Sequence, residues 1–394
     1  MNSFNFHTPT EIIFGAGAEL KAGSKIKSLG KKSIMIIYGG GSAIKSGLIE
    51  RVENSLKDEG INFITIGGVK PNPVLSFVRN AIVTAKENSV DFVLAVGGGS
   101  VIDTAKAVSM GLANPDDDVW QFFTREKTPK KTMGVGSVLT ISAAGSETSD
   151  SCVITNDEGL IKKGLNSEFN RPVFALMNPE NTYSLPSYQI SCGILDIMMH
   201  TLERYFTKTE GNELTDQIAE SVIRVTIEKG KAALEDPHNY DAMSELMWCG
   251  SLSHNGLTGL GGVGDWAVHQ MGHELSGVYD VAHAAGLSAA WDSWAKYVYK
   301  EKVSRFAKFA KNIWHIEAEN DEEAALAAIE TTEKFFKSIN MPTSISDLGI
   351  GNLSDDDLRD IANRCAWQGK RTIGQFKVLD EEDIYQIYKM SNDK

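Results

Sequence analysis

The sequence predicts an α/β protein in two parts, a parallel sheet covered by helices over residues 1–183 and an all-helical part over residues 184–394. Three observations lead there. From residue 33 short β-branched runs alternate with stretches long enough to be helices, the pattern of strands joined by crossover helices. After about Tyr183 that alternation stops and long amphipathic segments take over. Seven of the ten prolines fall within the first 182 residues, which marks the same change of grammar. No internal repeat or low-complexity tract interrupts either part.

The strands are read in order as Ser33 to Tyr38, Ile61 to Ile66, Asp91 to Val96, Met133 to Leu139 and Val173 to Met177, apolar runs that suit burial on both faces. Ala43 to Glu59 and Pro73 to Asn88 are the crossover helices between the first three. In the second part Gln189 to Phe206, Glu213 to Leu234, Asp241 to His254 and Asp321 to Ser338 are the expected helices.

The 394 residues are 42% hydrophobic and carry a net charge of −13, which excludes a disordered chain and argues against broad nucleic-acid or anionic-membrane surfaces. A small-molecule partner is favoured. Cys152, Cys192, Cys249 and Cys365 show no CxxC spacing, so neither a disulfide framework nor a thiolate metal site is indicated. No apolar run approaches the roughly 18 residues of a membrane helix, and the N-terminus lacks a leader pattern. A cytoplasmic protein is expected.

Glycine-rich turns follow three of the strands. Gly97-Gly98-Gly99-Ser100 leads from a strand into a helix starting near Val101, where backbone can approach a ligand and first-turn N–H groups offer an anion site for a diphosphate. The plain alternative is a tight turn with Ser100 as N-cap, and the GxGxxG fingerprint is absent. Gly39-Gly40-Gly41-Ser42 follows the first strand of this region, where a Rossmann-like fold meets the adenosine ribose. An acid there would bind the 2′-hydroxyl and repel a 2′-phosphate. None is present, and Ser42 and Lys45 can meet a phosphate, so NADP(H) is expected over NAD(H), although Lys45 also reads as a solvated helix residue. The third turn, Thr140 to Thr148, is small and rich in hydroxyls, suited to packing against a flat ring or, more plainly, an ordinary Ser/Thr turn.

Six of the eight histidines lie between residues 200 and 283. Asp196 and His200 are i and i+4, as are His269 and His273, so each pair shares a helix face and can close on one ion. His283 lies 14 residues beyond His269, about 21 Å on a straight helix, so the helix must end between them, with Gly277 to Asp280 as the stop. Asp196, His200 and two of the three later histidines then make a nitrogen-rich site with one carboxylate, suited to Zn²⁺ or Fe²⁺. The plain reading of an isolated Asp-x3-His pair is a helix-surface pair. His238 and His254 lack such spacing and are read as structural.

Through GGGSVID, D-x3-H and H-x3-H-x9-H, the sequence resembles the iron-containing, or group III, alcohol dehydrogenases, and within them the butanol dehydrogenase and NADPH-dependent aldehyde reductase branch. The likeness runs nearly the whole chain, through YGGGSAIKSG, GGVKPNP, LTISAAGSETS and PVFALMNPENTYSLP. It implies that Asp196, His200, His269 and His283 are the metal ligands and that His273 stands beside the metal with a proton-relay role. It assigns Gly97, Gly98, Ser100 and Asp103 to the diphosphate loop, and Thr140, Ser142 and Lys162 to the nicotinamide half. Ser142-Ala143-Ala144-Gly145 departs from the Thr or Pro of many members.

The expected chemistry is hydride transfer between the cofactor and a short-chain alcohol or aldehyde of the butanol and butanal type, with the metal as Lewis acid. A rival is a polyol dehydrogenase of the same superfamily using NAD, of the glycerol or 1,2-propanediol type. A dehydroquinate-synthase-like lyase needs basic residues for an anionic substrate, and segments 140–149 and 248–294 contain no Lys or Arg. A non-catalytic nucleotide- or metal-binding module is the reading from another class. A homodimer is expected, because the strand-like segment Phe4 to Phe14 reads as an edge seeking a partner.

Overall fold

The structure, a computed structural model, describes residues 1–393. The chain groups into two compact units, one of His7–Pro186 with Glu235–Asn255, the other of Met1–Phe6, Ser187–Leu234 and the chain from Gly256 onward. The segment 235–255, which a boundary near 183 assigns to the helical half, thus groups with the sheet.

The α/β unit is organised by eight strands: β1 (Glu11–Phe14), β2 (Ser33–Tyr38), β3 (Asn62–Ile66), β4 (Phe92–Gly97), β5 (Val135–Leu139), β6 (Ser151–Asn156), β7 (Ile161–Asn166) and β8 (Phe174–Met177). Six form one sheet in the order β1-β8-β5-β4-β2-β3, with every pair parallel. Its two faces follow from the pleat. Met35 and Ile37 pack with the helices Leu75–Glu87 and Gly99–Ala113, whereas Ile34 and Ile36 pack with Leu48–Asp58 and Ala22–Ser28. Strands covered on both sides must be apolar throughout, which is why these runs were readable.

Two features depart from the sequence reading. β6 and β7 form an antiparallel hairpin of their own, absent from the strands expected above, and it turns through Gly159 and Leu160, both at positive φ. The segment Phe4 to Phe14 is a strand only over Glu11–Phe14, because Pro9 has no N–H to donate, and β1 pairs with β8 inside the chain.

In the helical unit, no strand occurs after β8 among the described residues. The helices Ser187–Tyr205, Glu213–Glu235 and Asp321–Ser338 match the amphipathic segments. Helix Ala267–Tyr279 stops because Asp280 turns left-handed at φ 53°, and the next helix begins at His283. The expected break therefore lies just past Gly277, where a short polar side chain tolerates the left-handed cap.

Candidate functional site

The metal candidates lie in the helical unit. Helix Ser187–Tyr205 is buried along most of its length and carries Asp196 and His200 on consecutive turns. Helix Ala267–Tyr279 brings His269, and ligand atoms of Asp196, His200 and His269 all fall within 4.8 Å of one another. All three are buried. His283, first residue of its helix, stands beside this trio with Nε2 at 4.0 Å from Asp196 Oδ1 and its ring 5.5 Å from that of His269. The His273 ring is 5.3 Å from His283 and 6.4 Å from His269. The chain stop after Tyr279 is what lets residues 14 apart in sequence face one another.

Hydrogen bonds decide which nitrogen each imidazole offers. His200 Nδ1 lies 2.9 Å from the Asp196 carbonyl oxygen, an acceptor, so Nδ1 carries the proton and Nε2 the lone pair. Burial, then the neighbouring His269, holds the His200 pKa well below the usual histidine range and keeps that lone pair available. His269 Nδ1 donates to Glu203 Oε1 at 2.9 Å, and the same oxygen accepts from the His269 backbone N–H at 2.8 Å. His269 Nε2 is then a buried lone pair with no hydrogen-bond partner among the described residues. A buried nitrogen with nothing to accept from costs free energy, and an ion held by Asp196 and the imidazoles removes that cost. One carboxylate with imidazole nitrogens is a donor set for Zn²⁺ or Fe²⁺, so the residues fit the group.

Glu203 escaped the sequence reading. Its signal was present, since it follows Asp196 by seven residues and so shares the helix face with Asp196 and His200. Asp265 belongs to the same surroundings: it accepts backbone N–H bonds from Gln375 and Phe376, each at 2.6 Å, while burial and the nearby Glu203 push its pKa up to about 7. It ties the loop before the His269 helix to the chain near the C-terminus.

The cofactor candidates lie in the α/β unit. Gly98 is the N-cap of helix Gly99–Ala113. A Cβ on Gly97 would come within 2.5 Å of Val101 Cγ2 and one on Gly98 within 2.4 Å of Ile141 Cγ2, so both glycines are required by close approach. The N–H groups of Val101 and Ile102 already bond the Gly98 carbonyl at 3.0 and 3.1 Å, so it is those of Gly99 and Ser100, at the very start of the helix, that an anion can meet. Gly40 differs: a Cβ there meets nothing within 4 Å, and beside Gly41 it meets only the Lys45 stem at 3.7 Å. Ser42 opens a helical turn of four residues ending at Lys45. This turn is roomy and carries no acid of its own.

Thr140 bonds through its N–H to the Gly97 carbonyl at 3.3 Å, which lays the third turn along the first. Ser142 is buried, and its Oγ has no partner among the described residues. Lys162 on β7 donates to Asn72 Oδ1 at 2.8 Å. Asp103 sits a turn inside its helix with both carboxylate oxygens engaged by protein, Ser146 Oγ at 2.6 Å and the Val153 N–H at 2.9 Å. Glu147 was not singled out from the sequence. It is buried, accepts from Ser251 Oγ at 2.5 Å, and its pKa is raised by burial. This bond, with Gly145 lying against Gly250, joins the loop to helix Tyr240–His254 and explains why 235–255 groups with the sheet.

A parallel sheet with a glycine cradle and a buried carboxylate-imidazole trio define a metal-dependent nicotinamide oxidoreductase. Residues 9–179 match the family described as iron-containing alcohol dehydrogenase, and residues 190–392 match the C-terminal region of the Fe-containing alcohol dehydrogenase family. The chain belongs to the iron-containing alcohol dehydrogenase family. It is 37% identical over 393 residues to the NADH-dependent butanol dehydrogenase A of Clostridium acetobutylicum, covering 99% of this chain and 100% of that one. It is also 37% identical over 356 residues to the NADPH-dependent aldehyde reductase YqhD of Escherichia coli K12, covering 90% and 91%. The crystal structure of NADH-dependent butanol dehydrogenase A from Thermotoga maritima matches with a TM-score of 0.95 at 37% identity, covering 99% of each chain.

Proposed function

We propose that this protein interconverts short-chain primary alcohols and aldehydes of the butanol and butanal type, with Asp196, His200, His269 and His283 holding one divalent ion, Fe²⁺ or Zn²⁺. The observation that carries the reading is the buried His269 Nε2, left without a partner beside Asp196 and His200. When bound, such an ion supplies Lewis acidity toward a carbonyl or hydroxyl oxygen, and the nicotinamide supplies or accepts the hydride.

The chain's own residues do the rest. Asp196 brings the negative charge that balances an ion in a buried place. Glu203 holds His269 in one tautomer and one orientation. His273, beside His283 and His269, gives the proton to, or takes it from, the substrate oxygen. Gly97, Gly98, Gly99 and Ser100 offer N–H groups to the diphosphate, with Thr140, Ser142 and Lys162 toward the nicotinamide half. Asp103 belongs to this set by position.

For the cofactor we favour NADP(H), on the acid-free and roomy turn Gly39 to Ser42. The relatives' names divide between NADH and NADPH, and the similarity to an enzyme named for NADH supports NAD(H) as the second reading. We further infer a nucleotide-binding half over 1–183, a catalytic half over 184–394, a cytoplasmic location and a homodimer. No described helix is long and apolar enough to cross a membrane. The dimer rests on the outer edge of β1 and on the exposed Phe4, Phe6 and Phe14. The test of the function is direct: metal-reconstituted protein mixed with butanal should consume NADPH or NADH absorbance, and metal-stripped protein should not. Equal rates with and without metal would overturn it.

A further inference from the structure

Helix Ala267–Tyr279, which carries His269 and His273, is flanked at both ends by left-handed residues that are not glycine. Asp280 closes it at φ 53°, and an aspartate tolerates that conformation. Trp266 opens it at φ 64°, where a bulky residue is strained and persists only if its surroundings hold it. They do. Asp265, one residue earlier, gives its N–H to the Glu203 carbonyl at 2.7 Å and receives the N–H groups of Ala267, Gln375 and Phe376 on its carboxylate. Gly264 leaves the space, since a Cβ there would come within 2.7 Å of Trp266 Nε1. The half-buried indole packs in T-shaped fashion against two imidazoles, 5.2 Å from the His269 ring and 6.3 Å from the His200 ring between centroids. Arg204 lies over the indole at 4.5 Å and donates through Nη1 to the His200 carbonyl at 2.7 Å.

We propose that Trp266 is a positioning residue that fixes the planes of the His200 and His269 imidazoles, with Arg204 holding the indole in place. This rests on the reading that these imidazoles, with Asp196 and His283, hold one divalent ion. The Nδ1 hydrogen bonds of His200 and His269 choose which nitrogen is offered. A bond at one corner still lets a ring swing, because the second side-chain torsion of histidine is soft. The lone pair on Nε2 lies in the ring plane, so the plane has to be aimed as well as the tautomer chosen. A flat, stiff side chain against both rings does this for two ligands at once, their own centroids being 4.7 Å apart. Arg204 follows His200 by one helical turn, so guanidinium, indole and imidazole are referenced to the same helix. A glycine at position 266 would take φ 64° without strain but would bring no ring. The tryptophan accepts the strain and contributes the wall.

The test compares Trp266→Phe, Trp266→Asn and Arg204→Met with wild type, each stripped of metal and titrated with Zn²⁺ or Co²⁺. Phenylalanine keeps a flat ring on a left-handed backbone, whereas asparagine suits that backbone and has no ring. Zinc affinity is measured by chelator competition, ligand geometry by the visible absorption bands of bound Co²⁺, and folding by circular dichroism. Trp266→Asn is expected to bind zinc about 10–100-fold more weakly, the usual loss for a partner that orients a ligand, and to move the cobalt bands. Trp266→Phe should keep the wild-type bands, and Arg204→Met should move them less than Trp266→Asn does. A merely structural role would lower the amount of folded protein and leave zinc affinity and cobalt bands of the remainder at wild-type values, which would overturn the proposal. So would a Trp266→Asn protein that binds zinc more tightly than Trp266→Phe, since the backbone and not the ring would then be what counts. Should Trp266→Asn fail to fold, Arg204→Met decides the matter by whether its cobalt bands move. If wild type itself binds neither ion, the metal reading falls and this proposal with it. If wild type binds and all three variants match it, the role of Trp266 alone falls.

Discussion

The cluster around Lys106, on helix Gly99–Ala113, and the cluster around His269 are both buried and both polar, yet one closes on itself and the other does not. Around Lys106 the ammonium meets oxygens from Ser146, Ser149 and Ser151, while Asp103 meets Ser146 and Val153. Around His269 one nitrogen is tied to Glu203 and the other is left over. Buried polar groups find partners almost without exception in folded chains, so the difference carries information. The network around Lys106 is scaffolding, whereas the leftover His269 Nε2 lies where Asp196 and His200 bring ligand atoms within 4.8 Å of one another, and that convergence is what distinguishes it.

The sharpest way to break this comparison is to remove the open cluster's donors. His200→Ala is expected to leave the circular dichroism spectrum unchanged while metal content falls to near zero and aldehyde reduction drops by about three orders of magnitude, since a Lewis acid supplies several kcal/mol to the barrier. Elemental analysis beside the rate assay checks it. Turnover that survives would mean the lone pairs at this cluster serve no ion.

A smaller effect is expected one shell out. Glu203→Ala removes the acceptor that fixes the His269 tautomer, and loss of such partners costs about 10–100-fold in metal affinity or activity. Glu203→Gln keeps an oxygen in place and should fall at the low end of that range. Chelator competition measures both, and wild-type affinity in the alanine variant would reduce Glu203 to a packing residue.

Much of this was legible because it depends on local periodicity. Asp196 with His200, and His269 with His273, reveal themselves by spacing, and the strands by runs that two covered faces force to be apolar. The helix break followed from the distance two histidines sharing an ion would have to span, and its place from Gly277 and the residues after it. Glu203 stayed hidden in LERY because a glutamate on a helix ordinarily reads as solvated, and only the long-range arrival of His269 gives it a partner. Lys106 and Glu147 were hidden for the same reason, their partners lying 40 and 104 residues away. The β6–β7 hairpin is short and half exposed, so its apolar signal is weak, and Pro9 trims β1 to four residues.

The last test concerns the roomy turn, where the expected change is a ratio and not a loss. Gly97 and Gly98 have no space for a Cβ, whereas Gly40 has open space and a backbone outside the left-handed region. A side chain can therefore be added at Gly40 without strain, and its charge reads what sits beside the turn. The 2′-phosphate of NADPH carries about −1.5 to −2 charge at neutral pH, like other phosphomonoesters. An aspartate at position 40 would repel it and would accept the ribose hydroxyls of NADH. Gly40→Asp should move the ratio of kcat/KM for NADPH over NADH toward NADH by about 1–3 kcal/mol, the usual size of a hydrogen bond to a charged group. The measurement needs both cofactors on wild type and variant, with metal content matched. An unchanged ratio would show that the 2′-position is read elsewhere. A wild type that already prefers NADH tenfold would show that an acid-free turn is compatible with either cofactor.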